Sequence, residues 1–451
     1  MKKLSRLLKK NNISVGVFGL GESNRGVIEY INKTNPTVSL TVRSDTDLDL
    51  GTLKEAKRLF SKKDALSEIT EDLLFLSPSV KRSRTEIVAA QKRGVIISSD
   101  ADMFFALTKK APICVTGSDG KSTTTYLISK ALSNSGIPAV PCGNFGKSLC
   151  SVLDTDLFPI AELSSFQLSY IKPISAVSVI TNVTPNHLNW HSSFDEYIES
   201  KMNITYGAEK IVFDCDGEAI SKRLSDVRVF CKTSIQRSFN QLNQLGGAEN
   251  YLTYSDNVIY LNGSPFLDVS HAKRKENYNI RNYLLTTAAC MSLCAENDIK
   301  EAFINFSGLK HRAELFFEQD GIKYVDSSID SSPERTIKTL YAIEGKKVVI
   351  IGGVGKGLPL DRLADLLPSL SLGAVLLGEL GLQLSELLKS RLNHYRFTLA
   401  YDMTDAVYKA KKMLDGPGTV ILSPAATSFD LYKNFKERGD DFKTVVKNLS
   451  K

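Results

Sequence analysis

The chain has 451 residues, 42% apolar and 24% charged, which is an ordinary globular composition with room for about three domains. Its net charge of +7 is accompanied by no long Lys/Arg block with interleaved aromatics, so it reads as a solvated surface that handles anionic small ligands, not a nucleic-acid or membrane face. No run approaches the ~18 apolar residues of a membrane span.

Residues 1–10, M-K-K-L-S-R-L-L-K-K, lack the apolar centre and cleavage site of a signal peptide and read as a surface helix. The seven cysteines are odd in number and form no C-x-x-C pair, which predicts free, buried thiols and a reducing cytoplasm.

The first segment alternates strands and helices. Strands are predicted at 13–19, 38–43, 73–76 and 94–98, a βαβ rhythm that gives a parallel sheet. A boundary is expected near Lys109-Lys110-Ala111-Pro112. The middle segment has an apolar run before residue 117, then strands at 160–163, 176–180 and 210–213. Its stretch from Thr233 to Ser255 is polar and reads as loops and edge strands, and the segment ends near Ser307-Gly308. The last segment restarts the βαβ rhythm with strands at 347–351, 374–377 and 419–422. No repeat of solenoid period is present.

The first glycine cluster, G-L-G-E-S-N-R-G (19–26), lies between a strand and a helix. The third glycine of a dinucleotide fingerprint is missing, with Asn24 in its place, and the second strand ends on Arg43 instead of a carboxylate. A carboxylate there would receive ribose hydroxyls, whereas an arginine suits phosphate or a uracil carbonyl. Gly21, Ser23 and Arg43 are therefore candidates for gripping a nucleotide diphosphate, not NAD.

Residues 115–125, V-T-G-S-D-G-K-S-T-T-T, have the layout strand, glycine loop, Lys-Ser, helix. Gly117, Ser118, Asp119 and Gly120 would cradle phosphate with backbone N–H groups, and Lys121 would supply a point charge. The hydroxyl of Ser122 or Thr123 would sit on Mg²⁺, with the helix N-terminus adding its positive end. The loop is shorter than the general phosphate-loop pattern.

Glu162 ends an apolar strand in A-E-L-S-S-F-Q-L, where a carboxylate can serve a phosphate-bridging metal or cap a helix. His187, in T-P-N-H-L-N-W-H, follows another strand and fits a metal ligand or a surface histidine. Lys201, taken alone, reads as a solvent lysine. Arg312, in G-L-K-H-R-A-E, fits a phosphate grip or a linker. Lys356, in G-G-V-G-K-G, fits a carboxylate partner or a turn. Residues 423–430 open a helix after a strand, a further anion site.

Taken in order, G-S-D-G-K-S-T, G-N-F-G (143–146), E-L-S-S-F-Q-L (162–168), T-P-N-H-L-N-W-H-S-S-F (184–194), Lys201, G-L-K-H-R-A-E (308–314), G-G-V-G-K-G (352–357) and L-S-P-A-A-T-S-F-D-L-Y-K-N-F-K-E-R-G (422–439) resemble the Mur ligases of peptidoglycan synthesis, in particular their D-glutamate-adding type. The resemblance covers nearly the whole chain.

It implies an α/β fold of three domains: a Rossmann-like UDP-substrate domain (1–108), a central P-loop-type ATPase domain with a mostly parallel sheet (109–308), and a Rossmann-like C-terminal domain (309–451). It implies that ATP phosphorylates the carboxylate of UDP-N-acetylmuramoyl-L-alanine and that the amine of D-glutamate attacks the acyl phosphate. Lys121, Glu162, His187 and Lys201 would be catalytic. Two Mg²⁺ sites would draw on Ser122, Glu162, His187 and Lys201, the last as a carbamylated lysine. Asn144, Ser164 and Gln167 match substrate contacts. Asn282, Arg312 and Asp326 match ATP contacts, and Lys356, Ser428 and Phe435 the grip on D-glutamate. A cytoplasmic monomer is expected.

Departures from the family's pattern are Asp119 for Asn in the loop, Arg281 for His before Asn282, and Asn186 and Asn189 beside His187. In D-S-S-I-D-S-S-P-E-R-T (326–336), Ser328 stands where a lysine is usual. The competing readings are a folylpolyglutamate-synthase-like ligase, another Mur type, and a non-catalytic nucleotide-binding homologue.

Overall fold

The computed structural model describes residues 2–10, 12–44, 58–61, 65–66, 68–188, 190–355, 357–391, 394–428, 432 and 434–449. The chain forms two compact units, Met1–Phe306 and Ser307–Lys451.

The first unit carries two sheets. One has five strands, β1 (Ser14–Phe18), β2 (Ser39–Ser44), β3 (Arg58–Ser61), β4 (Leu73–Leu76) and β5 (Ile96–Ser98), in the order β3-β2-β1-β4-β5. All its pairings are parallel. Such strands are covered on both faces, which explains the unbroken apolar runs S-V-G-V-F and L-L-F-L. The helix Lys2–Leu7 precedes it and buries Leu4.

The other sheet contains β6 (Ile113–Thr116), β7 (Ala139–Gly143), β8 (Phe158–Glu162), β9 (Ile174–Ile180), β10 (Gly207–Asp214), β11 (Val229–Ser234), β12 (Ala248–Ser255), β13 (Val258–Leu261) and β14 (Ser264–Asp268). Their order is β14-β13-β12-β11-β10-β9-β6-β8-β7. Only β12-β13 and β13-β14 pair antiparallel. The polar 233–255 stretch holds β12 and also a helix, Phe239–Gln244, which the sequence reading missed; Ser238 and Gln241 start it with a reciprocal capping box. One apolar core runs from Val15 and Val42 through Cys142 and Leu163 to Phe213, so the two sheets of this unit share it.

Polar ties reinforce that join. The indole N–H of Trp190 donates to the Ser79 carbonyl at 2.8 Å, and the Arg82 N–H donates to the Tyr170 hydroxyl at 3.0 Å. The Arg82 guanidinium lies over the Tyr170 ring at 4.5 Å.

The second unit has β15 (Glu314–Gln319), β16 (Ile322–Asp326), β17 (Lys347–Gly352), β18 (Gly373–Leu377), β19 (Arg396–Leu399) and β20 (Gly418–Leu422) in the order β15-β16-β20-β17-β18-β19. Every pairing but β15-β16 is parallel. Apolar clusters cover both faces of this sheet.

In open parallel sheets, ligands bind beyond the carboxyl ends of the strands where the strand order reverses. These points fall between β1 and β4, between β6 and β9, and between β17 and β20.

Candidate active site

The loop after β6 is built for close approach. Gly117 has φ +148, and a Cβ there would stand 1.9 Å from the Thr181 hydroxyl that follows β9. Gly120 has φ +83 and precedes the helix Lys121–Asn134 with no capping side chain. A helix N-terminus of this kind is an anion-binding position. Backbone contacts fix the loop to the β9 end: the Ser118 N–H donates to the Asn182 carbonyl at 2.8 Å, and the Asp119 N–H donates to Asn182 Oδ1 at 3.0 Å. The Ser118 hydroxyl meets the Tyr197 hydroxyl at 2.8 Å. The Asp119 side chain is exposed. Ser122 and Thr123 are buried in the first helical turn.

Two lysines converge on this loop. Lys121 Nζ donates to the carbonyls of Gly117 at 2.9 Å and Ser118 at 2.8 Å. Lys201, only 2% exposed, donates from Nζ to the same Gly117 carbonyl at 2.6 Å and lies 4.7 Å over the Tyr197 ring. Burial pushes the Lys201 ammonium well below the usual lysine range; Lys121 adds to this, and Glu162 and Asp119 offset part of it. It is therefore not the solvent lysine that its sequence neighbourhood suggests.

Glu162 ends β8 and is 1% exposed. Its Oε1 accepts from Asn144 Nδ2 at 2.9 Å, while its Oε2 is buried with no hydrogen-bond partner. A buried carboxylate oxygen without a donor is costly, and a cation would relieve it. Asn282, on the helix Asn277–Cys290, accepts from the Thr124 hydroxyl at 3.2 Å and backs Gly120, whose Cβ would lie 2.5 Å from Asn282 Oδ1. Arg281 points elsewhere, pairing with Asp214 and Asp216. His187 is exposed on the loop after β9, with φ +55 and its ring 5.0 Å from that of Phe166.

Ser164 and Gln167 form a capping box at the helix Ser165–Leu168: Gln167 Oε1 accepts from the Ser164 N–H and hydroxyl, each at 3.0 Å. Beyond β1, Gly21 is exposed and Ser23 half-buried in the first turn of the helix Glu22–Thr34. Asn24 fills the place of the missing glycine; its Nδ2 donates to the carbonyls of Phe18 at 2.9 Å and Gly19 at 2.8 Å.

Arg43 corrects the sequence reading. It is 2% exposed and binds Glu71 in fork fashion at 2.9 and 3.1 Å, with further bonds to the Ala65 and Glu68 carbonyls. Its donors are committed inside the protein and do not face a ligand.

The second unit gathers another set. Asp326, at the end of β16, has no exposed surface. Its Oδ2 meets His311 Nδ1 at 2.7 Å and Lys443 Nζ at 3.3 Å, and its Oδ1 accepts from the Ser328 N–H at 2.8 Å. The expected ATP-facing carboxylate is thus an internal one, matched on both oxygens. His311, Glu314 and Asp326 bring ligand atoms within 4.8 Å of one another, but Lys443 already neutralises the group, 2.6 Å from Glu314. Ser328 brings no cation of its own; the ammonium beside Asp326 comes from the helix Phe435–Leu449. Arg312 is half-buried, Ser428 is 3% exposed, and Phe435 stands edge-on to His311 at 6.0 Å. Lys356 and Asn189 lie outside the described residues.

A family model for the Mur ligase middle domain matches residues 115–290. The UDP-N-acetylmuramoylalanine–D-glutamate ligase of Ruminiclostridium cellulolyticum is 34% identical over 470 residues, covering 97% of each chain. The chain belongs to the Mur ligases. The ligase of the same name from Acetivibrio thermocellus is 30% identical over 99% of each chain. Among solved structures, the Thermotoga maritima UDP-N-acetylmuramate–alanine ligase superposes with a TM-score of 0.62 at 19% identity, over 98% of this chain and 100% of that one. The MurF ligase of the same organism, in complex with ADP, gives 0.55 at 16% identity over 98% and 96%. These two establish the fold.

For this Mur ligase, sequence reasoning missed Asn182, His191, Tyr197, Arg438 and Lys443. His191 is 1% exposed and meets the Ser165 hydroxyl at 3.0 Å; burial lowers its pKa. Arg438 is 2% exposed and ties the carbonyls of Ser328, Ala426 and Thr427 together at 2.9–3.0 Å. His191 and Arg438 lie inside motifs that the resemblance already used. Asn182, Tyr197 and Lys443 each meet partners distant in sequence within their own unit, and no local pattern announces them.

Proposed function

We infer that this Mur ligase joins D-glutamate to UDP-N-acetylmuramoyl-L-alanine with consumption of ATP, in the synthesis of peptidoglycan precursors. The observation that carries the reading is near-full-length identity of 30–34% to ligases named for this reaction. The convergence of Lys121, Glu162 and Lys201 on one loop supports it.

The γ-phosphoryl group passes to the alanyl carboxylate, giving an acyl phosphate and ADP. The neutral amine of D-glutamate attacks the acyl carbon. The tetrahedral adduct loses a proton and expels phosphate, leaving the amide. Such chemistry is mainly positioning and charge neutralisation. Loop amides from Gly117 to Gly120, with Lys121, hold the β/γ-phosphates. Asn282 and Arg312 serve the nucleotide, Gly21 and Ser23 the UDP part, and Asn144, Ser164 and Gln167 the muramoyl-alanine end. Lys356, Ser428 and Phe435 hold D-glutamate.

Mg²⁺, when bound, supplies positive charge at the phosphates. The residues fit it: Glu162 has an unmatched buried oxygen that with the Ser122 hydroxyl would hold one ion, and His187 with Lys201 would serve a second. Lys201 fits carbamylation, because burial favours the neutral amine that reacts with CO₂. The domain roles are UDP-substrate binding in 1–108, ATP binding in 109–308 and amino-acid and ATP binding in 309–451. The cysteines are unpaired, which suits a reducing cytoplasm.

The test is phosphate release from ATP with UDP-N-acetylmuramoyl-L-alanine, Mg²⁺ and each candidate amino acid. Release with D-glutamate alone is expected. Release only with another amino acid would overturn the specificity and spare the class; none with any would sink both.

A further inference from the structure

Two carboxylates are buried together where β10 ends, and neither has a place in the chemistry proposed above. Asp214 is 4% exposed and the Asp216 side chain 2%. All four of their oxygens are matched. Asp214 Oδ1 accepts from the Asp216 N–H at 3.0 Å, and Asp216 Oδ2 accepts from the Ile235 N–H at 3.1 Å. Asp216 Oδ1 accepts from Arg237 Nη1 at 3.0 Å and from the Ser234 hydroxyl. The remaining partner is Arg281, whose Nη1 donates to Asp216 Oδ2 at 2.9 Å and to Asp214 Oδ2. Buried carboxylates satisfied in this way hold a frame and leave nothing over for a ligand.

What they hold is a helix. Arg281 lies in the second turn of Asn277–Cys290, which starts without a capping side chain. The next residue, Asn282, is 4% exposed and reaches the phosphate loop. Its Oδ1 accepts from the Thr124 hydroxyl at 3.2 Å, and a Cβ on Gly120 would stand 2.5 Å from it. Successive side chains of a helix point about 100° apart. A helix gripped at Arg281 therefore cannot turn about its axis without carrying Asn282 off Gly120. The arginine, standing where the family usually has histidine, supplies this grip from a guanidinium that is always charged.

We propose that Arg281 is a positioning residue for the nucleotide. Clamped by Asp214 and Asp216, it sets the rotation of the helix 277–290 and so holds Asn282 behind Gly120. It acts through Asn282 and does not touch the nucleotide itself. The inference rests on the ATP-consuming function proposed above.

The experiment compares Arg281→Ala, Asn282→Ala, their double variant, and Arg281→Ala with Asp214→Asn, all in full-length protein. It reads Kd for ADP by calorimetry, KM for ATP, KM for UDP-N-acetylmuramoyl-L-alanine, and Tm. Arg281→Ala should weaken ADP and raise the ATP KM about tenfold, the worth of one buried hydrogen bond, with the sugar-nucleotide KM within about twofold. Its Tm should fall, because Asp214 is left buried without its cation. Adding Asp214→Asn removes that charge, so Tm should recover while the tenfold nucleotide defect persists. This more stable form also carries the comparison if Arg281→Ala alone folds poorly. Adding Arg281→Ala to Asn282→Ala should cost less than about twofold more in ADP affinity, since the two act in series. Equal shifts in both KM values, recovery of ADP affinity together with Tm, or strict additivity with Asn282→Ala would overturn the assignment. A wild type that binds ADP but makes no product removes the functional reading, while the ADP affinities still decide this one. A wild type that does not bind ADP overturns both.

Discussion

The ends of the second and third sheets handle buried charge in opposite ways. Beyond β6 and β8, Lys201 is buried against a carbonyl with its ammonium disfavoured, and Glu162 keeps one oxygen with no donor. Beyond β16, the Asp326 carboxylate is matched on both oxygens by His311, Lys443 and the Ser328 N–H. Both regions are dense in ionisable groups. Unmatched groups await a ligand, and matched groups hold the frame. This difference separates chemistry from scaffold more reliably than residue type does.

Substitutions can break that contrast. The largest expected effect is Lys121→Ala, which removes a phosphate-facing charge and should lower kcat by about 100-fold or more at unchanged Tm, followed by ADP release. Glu162→Gln keeps the shape and the Asn144 contact while removing the charge. Its turnover should fall about 100-fold with the Mg²⁺ requirement raised, and thermal stability should hold or improve, because an unpaired buried charge is gone.

Asp326→Asn should behave in reverse. Burial alone would raise this carboxyl, but bonds from the His311 ring and the Ser328 N–H more than offset it and hold it below the ordinary carboxylate range. A depressed folded pKa stabilises above the unfolded value, about 4, and that stabilisation is lost as pH falls through the folded value. Denaturant titrations should show Asp326→Asn less stable by about 3 kcal/mol at neutral pH, with a flatter loss toward acid than wild type. An unchanged neutral-pH stability would contradict the scaffold reading. The smallest effect is Asp119→Asn. The loop backbone is already fixed by Asn182 and Thr181, so the ATP KM should stay the same within about twofold.

The strands most legible in the sequence were those buried on both faces, such as Leu73–Leu76 and Lys347–Gly352, because continuous apolar runs admit few other readings. The antiparallel edge β12 to β14 and the half-buried β15 and β19 carry mixed faces, and were not separable from loops. The phosphate loop was legible because its glycines and Lys-Ser stand consecutively. Lys201 and Tyr197 were not, since their meaning lies in contacts with Gly117 and Ser118 across the sheet end. Arg43 and Asp326 misled for a common reason: a polar residue at a strand's carboxyl end can face a crevice or be turned inward, and only its partners, here Glu71 and His311, decide.

Trp190 is the only tryptophan in the chain. Its indole N–H is bonded to the Ser79 carbonyl, and Lys81 lies 5.2 Å from its ring. Tryptophan fluorescence of this protein therefore samples one place, the seam between the loop after β4 and the loop after β9. Emission excited at the indole band becomes a built-in gauge of that seam, and wetting of the ring on addition of a nucleotide would register as a red shift without any label.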